Sequence, residues 1–208
     1  MSITEPKNPE LAAVEVHGLS RGAFIARGAL ATGAMYGTGA VGAFVSQAFA
    51  QGGGDLDILN FALTLEYLEA AFYEDALSKA GLSGETKKLA REIGDHEKQH
   101  VDALTGAIKK AGGKPVSAPQ VAFPLTDQAS FLKLAETFED TGVAAYDGAA
   151  PMIQSKDVLA AAGSIVQVEA RHAAAIRFLK GDNPTRGAFE PTLKKGQVLK
   201  AVKPFIKS

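Results

Sequence analysis

VEARH, residues 168–172, sets Glu169 and His172 three positions apart near the end of an alanine-rich run, and HEKQH, residues 96–100, repeats the spacing with Glu97 and His100. Positions i and i+3 share one face of an α-helix, so each pair aims a carboxylate and an imidazole in the same direction. The sequence upstream of each pair matches as well. LEYLEAAFY (65–73) laid over FEDTGVAAY (138–146) aligns Glu66 with Glu139 and Tyr73 with Tyr146. Glu97 follows Glu66 by 31 residues, and Glu169 follows Glu139 by 30. The chain reads as a duplicated unit.

Working outward, four stretches carry helical character. The first is expected over 55–80, with Leu59, Leu63, Ala70 and Leu77 along one side and Gly81 as its stop. The second spans 83–111, with Ser83 as N-cap and Gly112–Gly113 at its end. Thr126 or Asp127 caps a third that reaches Ala150, and Ser155 caps a fourth that runs to Lys180 before Gly181. Short connections make each consecutive pair an antiparallel hairpin. Between the hairpins, GGKPVSAPQVAFP (112–124) has three prolines and reads as a crossover loop. The fold expected is all-α: a four-helix bundle over 51–180, then a tail, 181–208. In that tail Val198, Leu199, Val202, Phe205 and Ile206 read as a short helix and tail packing on the bundle, with no chemistry of their own.

The chain has 208 residues, 46% of them hydrophobic, and a formal net charge of -1, enough for a proper core and without the positive field that nucleic-acid binding needs. A basic stretch at the end (Arg186, Lys194, Lys195, Lys200, Lys203, Lys207) reads as a solvated tail. There is no cysteine, which excludes disulfides, thiolate metal sites and cysteine nucleophiles. Near the start, LSRGAFIAR (19–27) leads into an uncharged run, 28–50, that closes on AFA (48–50). This reads as an export signal over 1–50 cut after Ala50, with an uncleaved membrane anchor as the competing reading. Gly and Ala fill 12 of the 23 positions of the run, weak hydrophobicity for an anchor, so no stable membrane insertion is expected after cleavage. The start also resembles a twin-arginine signal in which Gly22 replaces the second arginine, leaving the Tat or Sec route open.

Two Glu and two Glu-x-x-His, one element per helix, bring six groups to the bundle axis: Glu66, Glu97, His100, Glu139, Glu169 and His172. Two divalent cations would cancel the four carboxylates, whose uncompensated burial would cost several kcal/mol each. Oxygen and imidazole donors without thiolate favour iron or manganese, with zinc as a substitute. A lone Glu-x-x-His is common on solvated helix faces. Here two of the three histidines after residue 50 carry it, a coincidence of about one in a hundred by chance. Glu69 and Glu136, one turn from Glu66 and Glu139, read as solvated, or else as lining a metal route or replacing a ligand. His96 reads as an ordinary polar contact.

This arrangement resembles the ferritin-like superfamily, and within it exported bacterial ferritin-like domain proteins related to plant desiccation-related proteins. The resemblance implies that Glu66 and Glu139 are terminal ligands, that Glu97 and Glu169 bridge two metals, and that His100 and His172 complete one metal each. It places Tyr73 and Tyr146 at the catalytic site, their hydroxyls hydrogen-bonded to ligand carboxylates, although as bare sequence features both are equally consistent with plain core. The function expected is that of an exported, periplasmic or secreted di-iron or di-manganese protein that reacts with peroxide or oxygen, as an oxidoreductase of peroxidase, catalase or ferroxidase type, or that handles metal in stress defence. Its partners would be metal ions and a small oxidant, peroxide or oxygen, in a monomer or small homo-oligomer. The competing reading is a non-catalytic stress-protection protein with structural metals; a storage cage suits the export signal and tail less well.

Overall fold

The computed structural model describes residues 54–207 and, before them, only the backbone of 15–16 and 19–20. The chain divides into two compact units, Met1–Ala43 and Phe44–Ser208. In the first, β1 (Glu15–Val16) pairs antiparallel with β2 (Leu19–Ser20). The rest of the expected export segment, with its cleavage point after Ala50, lies outside the described residues. Among the described residues, no helix is long and apolar enough to cross a membrane.

Among the described residues, the second unit contains four long helices, α1 (Gly54–Lys79), α2 (Gly84–Lys110), α3 (Gln128–Ala149) and α4 (Lys156–Lys180), and a short α5 (Lys195–Val202). At 22 to 27 residues each, the long helices extend about 33–40 Å. α1 packs on α2 and α3 on α4, and the two hairpins meet through α1 with α3 and α2 with α4. This is the predicted all-α bundle of two hairpins and a long crossover.

The ends follow local chemistry. Asp127, not Thr126, is the N-cap of α3: its carboxylate accepts from the Ser130 N–H at 2.8 Å, and the Ser130 side chain completes a capping box. Ser155 accepts from the Val158 N–H, and Gly181 closes α4 in the left-handed conformation at φ 79°. Ser83 holds the extended N-cap backbone of α2 but makes no side-chain cap bond; its N–H instead donates to the Gln128 side chain. The start of α4 is also fixed from afar. Buried Asp55, on α1, accepts from the Gln154 and Ser155 N–H groups at 2.9 Å each, tying the two hairpins together at one end.

Every long helix carries apolar residues on either side of a polar band. On α1, Leu59 and Leu63 lie before Glu66, and Leu68, Phe72 and Ala76 after it; on α2, Ile93 lies before Glu97, and Leu104 and Ile108 after His100. Two hydrophobic clusters result, one centred on Phe72, Phe131 and Phe138 and the other on Leu63, Ile108 and Val158. Phe72 stacks on Phe131 at 5.5 Å and meets Phe138 edge-on at 4.8 Å. Each such buried side chain contributes about 1.5–3 kcal/mol of hydrophobic stabilisation. That surplus can offset a charged layer between the clusters. Ala70 and Leu77, expected on the buried side of α1, are only half-buried, because Glu66, Glu69 and Tyr73 occupy the inward stripe.

The crossover and tail hold each other in place. The Ala122 N–H donates to the Phe205 carbonyl at 2.9 Å, and the Lys207 N–H to the Gln120 carbonyl at 2.8 Å. Val198 and Val202 of α5 are buried as expected, whereas Leu199 is 41% exposed. The basic tail is not wholly solvated: Arg186 pairs with Asp140 at 2.8 Å and with Glu136, and Lys195 lies over the Phe61 ring.

Candidate metal centre

Glu66 from α1, Glu97 from α2, Glu139 from α3 and Glu169 from α4 have no solvent exposure at all, and His100 and His172 are buried beside them. Their donor atoms form two groups: Glu66, Glu97, His100 and Glu169 in one, and Glu97, Glu139, Glu169 and His172 in the other, each within 4.8 Å. Glu97 and Glu169 belong to both. The structure thus brings together all six residues singled out by the sequence.

The spacing within each group is tight. His100 Nδ1 stands 3.1 Å from Glu66 Oε2, from Glu97 Oε2 and from Glu169 Oε1. His172 Nδ1 stands 3.0 Å from Glu97 Oε1 and 3.4 Å from Glu139 Oε2. One ring nitrogen carries at most one hydrogen and cannot satisfy so many oxygens. Indeed Glu97 Oε1, Glu139 Oε2, both Glu169 oxygens and His172 Nδ1 are buried without a hydrogen-bond partner. Such atoms cost about 1–3 kcal/mol each when left unpaired. Donors bound at about 2.1 Å and at right angles on one ion are themselves about 3 Å apart. The orphaned atoms, their spacing and the oxygen and imidazole chemistry all fit metal ions, which this cluster could hold.

Both tyrosines serve the cluster. The Tyr146 hydroxyl donates to Glu66 Oε1 at 2.5 Å, and the Tyr73 hydroxyl donates to Glu139 Oε1. Burial first, and then the adjacent carboxylate, hold both phenols well above their ordinary pKa, so they remain donors.

The electrostatics show how strongly the layer demands positive charge. Burial, reinforced by the surrounding carboxylates, pushes Glu69 and Glu169 well above the carboxylate range. Burial pushes Glu97 up to about 7 against the pull of His100 and His172. Burial alone would lower His172, but the neighbouring Glu139 and Glu97 carboxylates win and raise it to about 10. His100 is raised in the same way, by Glu66, Glu169 and Glu97 against burial. Glu66 moves the other way, because the His100 charge and hydrogen bonds from His100 and Tyr146 outweigh its burial.

Three features correct or extend the sequence reading. Glu69 is not solvated; it is 3% exposed and faces Gly142, where an added Cβ would stand 3.1 Å from Glu69 Oε1 and 3.4 Å from Glu169 Oε2. Gly142 itself gave no sequence signal. Glu136 is not solvated either, since it pairs with Lys180 and Arg186 in a network that includes Asp140 and buried Arg177. The i,i+4 spacing of Glu136 and Asp140 against Arg177 and Lys180 on the next helix could have revealed it. His96 makes the polar contact expected of it, and the partner is His172: His96 Nδ1 lies 3.0 Å from His172 Nε2.

Residues 54–182 match the family model described as ferritin-like domain. Among solved structures, the chain is similar to a conserved hypothetical protein from Mycobacterium tuberculosis, with a TM-score of 0.56 and 18% identity, over 65% of this chain and 96% of that one. At that identity the likeness concerns the fold alone. No curated protein matches the chain.

Proposed function

Because the chain belongs to the family of ferritin-like domains, we propose that it is an exported dimetal-carboxylate protein that holds two iron or manganese ions and reacts with peroxide or oxygen, or handles metal, in stress defence. The observation that carries this reading is the sharing of Glu97 and Glu169 between two donor groups that each have their own histidine. In this assignment Glu97 and Glu169 would serve both metals, Glu66 and Glu139 would hold one each, and His100 and His172 would complete the two positions. A redox-active metal pair supplies two-electron chemistry toward a small oxidant. The side chains do the rest. Tyr73 and Tyr146 fix the orientation of Glu139 and Glu66 through their hydroxyls, and the two hydrophobic clusters exclude bulk water from the layer.

Export rests on segment 1–50 alone, and the periplasmic or secreted location follows from it. The test is metal analysis by mass spectrometry of protein purified from its native compartment. About two Fe or Mn per chain is expected, with both lost in Glu97→Ala, because that residue belongs to both groups. Wild-type protein that is folded and metal-free would overturn the reading.

A second reading, structural metals in a non-catalytic stress-protection protein, draws support from the complete burial of all four Glu side chains. Peroxide consumption and ferrous oxidation by the metal-loaded protein separate the two: turnover supports the oxidoreductase, and none supports the structural role.

A further inference from the structure

We propose that His96 is a positioning residue for His172, holding it in one tautomer through a hydrogen bond and making the two metal positions of the duplicated centre unequal. The proposal rests on the two-metal reading above. His172 turns Nδ1 toward Glu97 and Glu139 and presents Nε2 to His96 Nδ1 at 3.0 Å. The two rings lie 13° from parallel with centroids 5.2 Å apart. Two ring nitrogens at that distance need one hydrogen between them, and a neutral imidazole has only one to place.

The hydrogen's position follows from the other side of the ring. A metal at His172 Nδ1 takes the lone pair there, so the hydrogen resides on Nε2 and is donated to His96. His96 must then accept at Nδ1 and keep its own hydrogen on Nε2. His96 is thus the outer partner that a ligating histidine ordinarily finds in a carboxylate or carbonyl.

The other hairpin lacks this device. Glu97 corresponds to Glu169 in the repeat, so the place of His96 falls to Val168, whose side chain has no acceptor. The Nδ1 sides match: His100 Nδ1 has three carboxylate oxygens within 3.1 Å, just as His172 Nδ1 faces Glu97 and Glu139. The six candidate ligands are therefore nearly symmetric, while their surroundings are not. The metal at His172 has a neutral imidazole behind its ligand, and the one at His100 does not.

The experiment is a Co2+ titration of the full-length protein, followed by visible absorption and calorimetry, on wild type, His96→Leu and His96→Asn. Asparagine offers an oxygen close to the place of Nδ1, whereas leucine has similar size and no acceptor. Wild type is expected to bind two ions. His96→Leu should keep one at wild-type affinity and weaken the other about 10–100-fold, with a changed absorption band for that ion alone; His96→Asn should stay within about threefold of wild type. In a His172→Ala background, His96→Leu should cause no further loss.

Two Co2+ bound by His96→Leu as by wild type, or equal weakening in the leucine and asparagine variants, would overturn the proposal and leave the two-metal reading standing. Wild type that takes up no Co2+ would overturn both. A second readout does not depend on affinity. Long-range 15N–1H spectra of the Zn2+-loaded protein should show both His172 and His96 protonated at Nε2, and a hydrogen on His96 Nδ1 would overturn the assignment.

Discussion

Tyr146 on α3 donates its hydroxyl hydrogen to Glu66 on α1 at 2.5 Å, joining residues 80 apart in the chain and on different hairpins. Both groups are buried, so neither can exchange this bond for one to water. Tyr146→Phe leaves a buried carboxylate oxygen without its donor, and hydrogen bonds to charged groups contribute about 1.5–3 kcal/mol. A loss of that size is expected in urea unfolding of chelator-treated protein, and Tyr73→Phe should behave alike through Glu139. An unchanged midpoint in both variants would show that the phenols are only packing.

The chelator-treated protein should lose stability as pH rises. The folded state holds Glu97 at about 7 rather than 4.5, so between those values it keeps a proton that the unfolded chain has released. His172, raised from 6.5 to about 10, acts in the same direction at higher pH. Stabilisation from both is complete on the acid side and is lost on passing the folded values. Glu66, with its lowered value, works oppositely, and only below its ordinary value of 4.5. Urea midpoints at pH 5, 7 and 9 should therefore fall in that order. Metal uptake displaces the same protons, so calorimetry in buffers of different ionisation enthalpy should register about two or more released per chain at neutral pH.

Gly142→Ala should disturb the centre without touching a candidate ligand. In a solvated helix this change stabilises by about 1 kcal/mol through propensity. Here the new methyl would lie 3.1 Å from Glu69 Oε1, so that carboxylate would have to give by a few tenths of an ångström, and it would come into contact with Glu169 Oε2 at 3.4 Å. We expect metal affinity to drop about 10-fold, the scale of an altered outer contact, with the helical circular dichroism unchanged. Wild-type affinity in this variant would mean that the space beside Gly142 is slack.

Gly148→Ala tests the tail. A Cβ there would fall 2.1 Å from the Leu193 carbonyl oxygen, and the Leu193 N–H donates to the Ala144 carbonyl at 2.9 Å one turn earlier. The backbone passes too close to α3 for any side chain. Displacing it should cost about 1–3 kcal/mol and open the 187–193 segment to limited proteolysis. Cleavage no faster than in wild type would show that the tail shifts without detaching.

The fold and the six candidate ligands were legible because they depend on local pattern. Helix ends follow Asp127, Ser155 and Gly181, and Glu97 with His100 share a face whatever the rest of the chain does. What was illegible depends on how the helices meet. Glu69 looks like any solvent-facing glutamate on α1, and its burial reflects what comes opposite it, Gly142 on α3, which leaves room for its carboxylate. Likewise, His96 gains its meaning from the distance between α2 and α4, which no residue near it encodes. Ser83 takes the N-cap backbone of α2 as its sequence suggests, yet its hydroxyl makes no cap bond, and its N–H donates to Gln128 across 45 residues.

Neither hairpin holds a full set of donors: the group around His100 needs Glu169 from the second, and the group around His172 needs Glu97 from the first. A free-standing hairpin could gather either set only by meeting a second copy of itself, at a rate set by concentration. Within one chain that encounter is unimolecular. One chain also frees the halves from identity, since a symmetric pair must place the same residue in both positions. The difference between His96 and Val168 is open only to a chain that encodes its two halves separately.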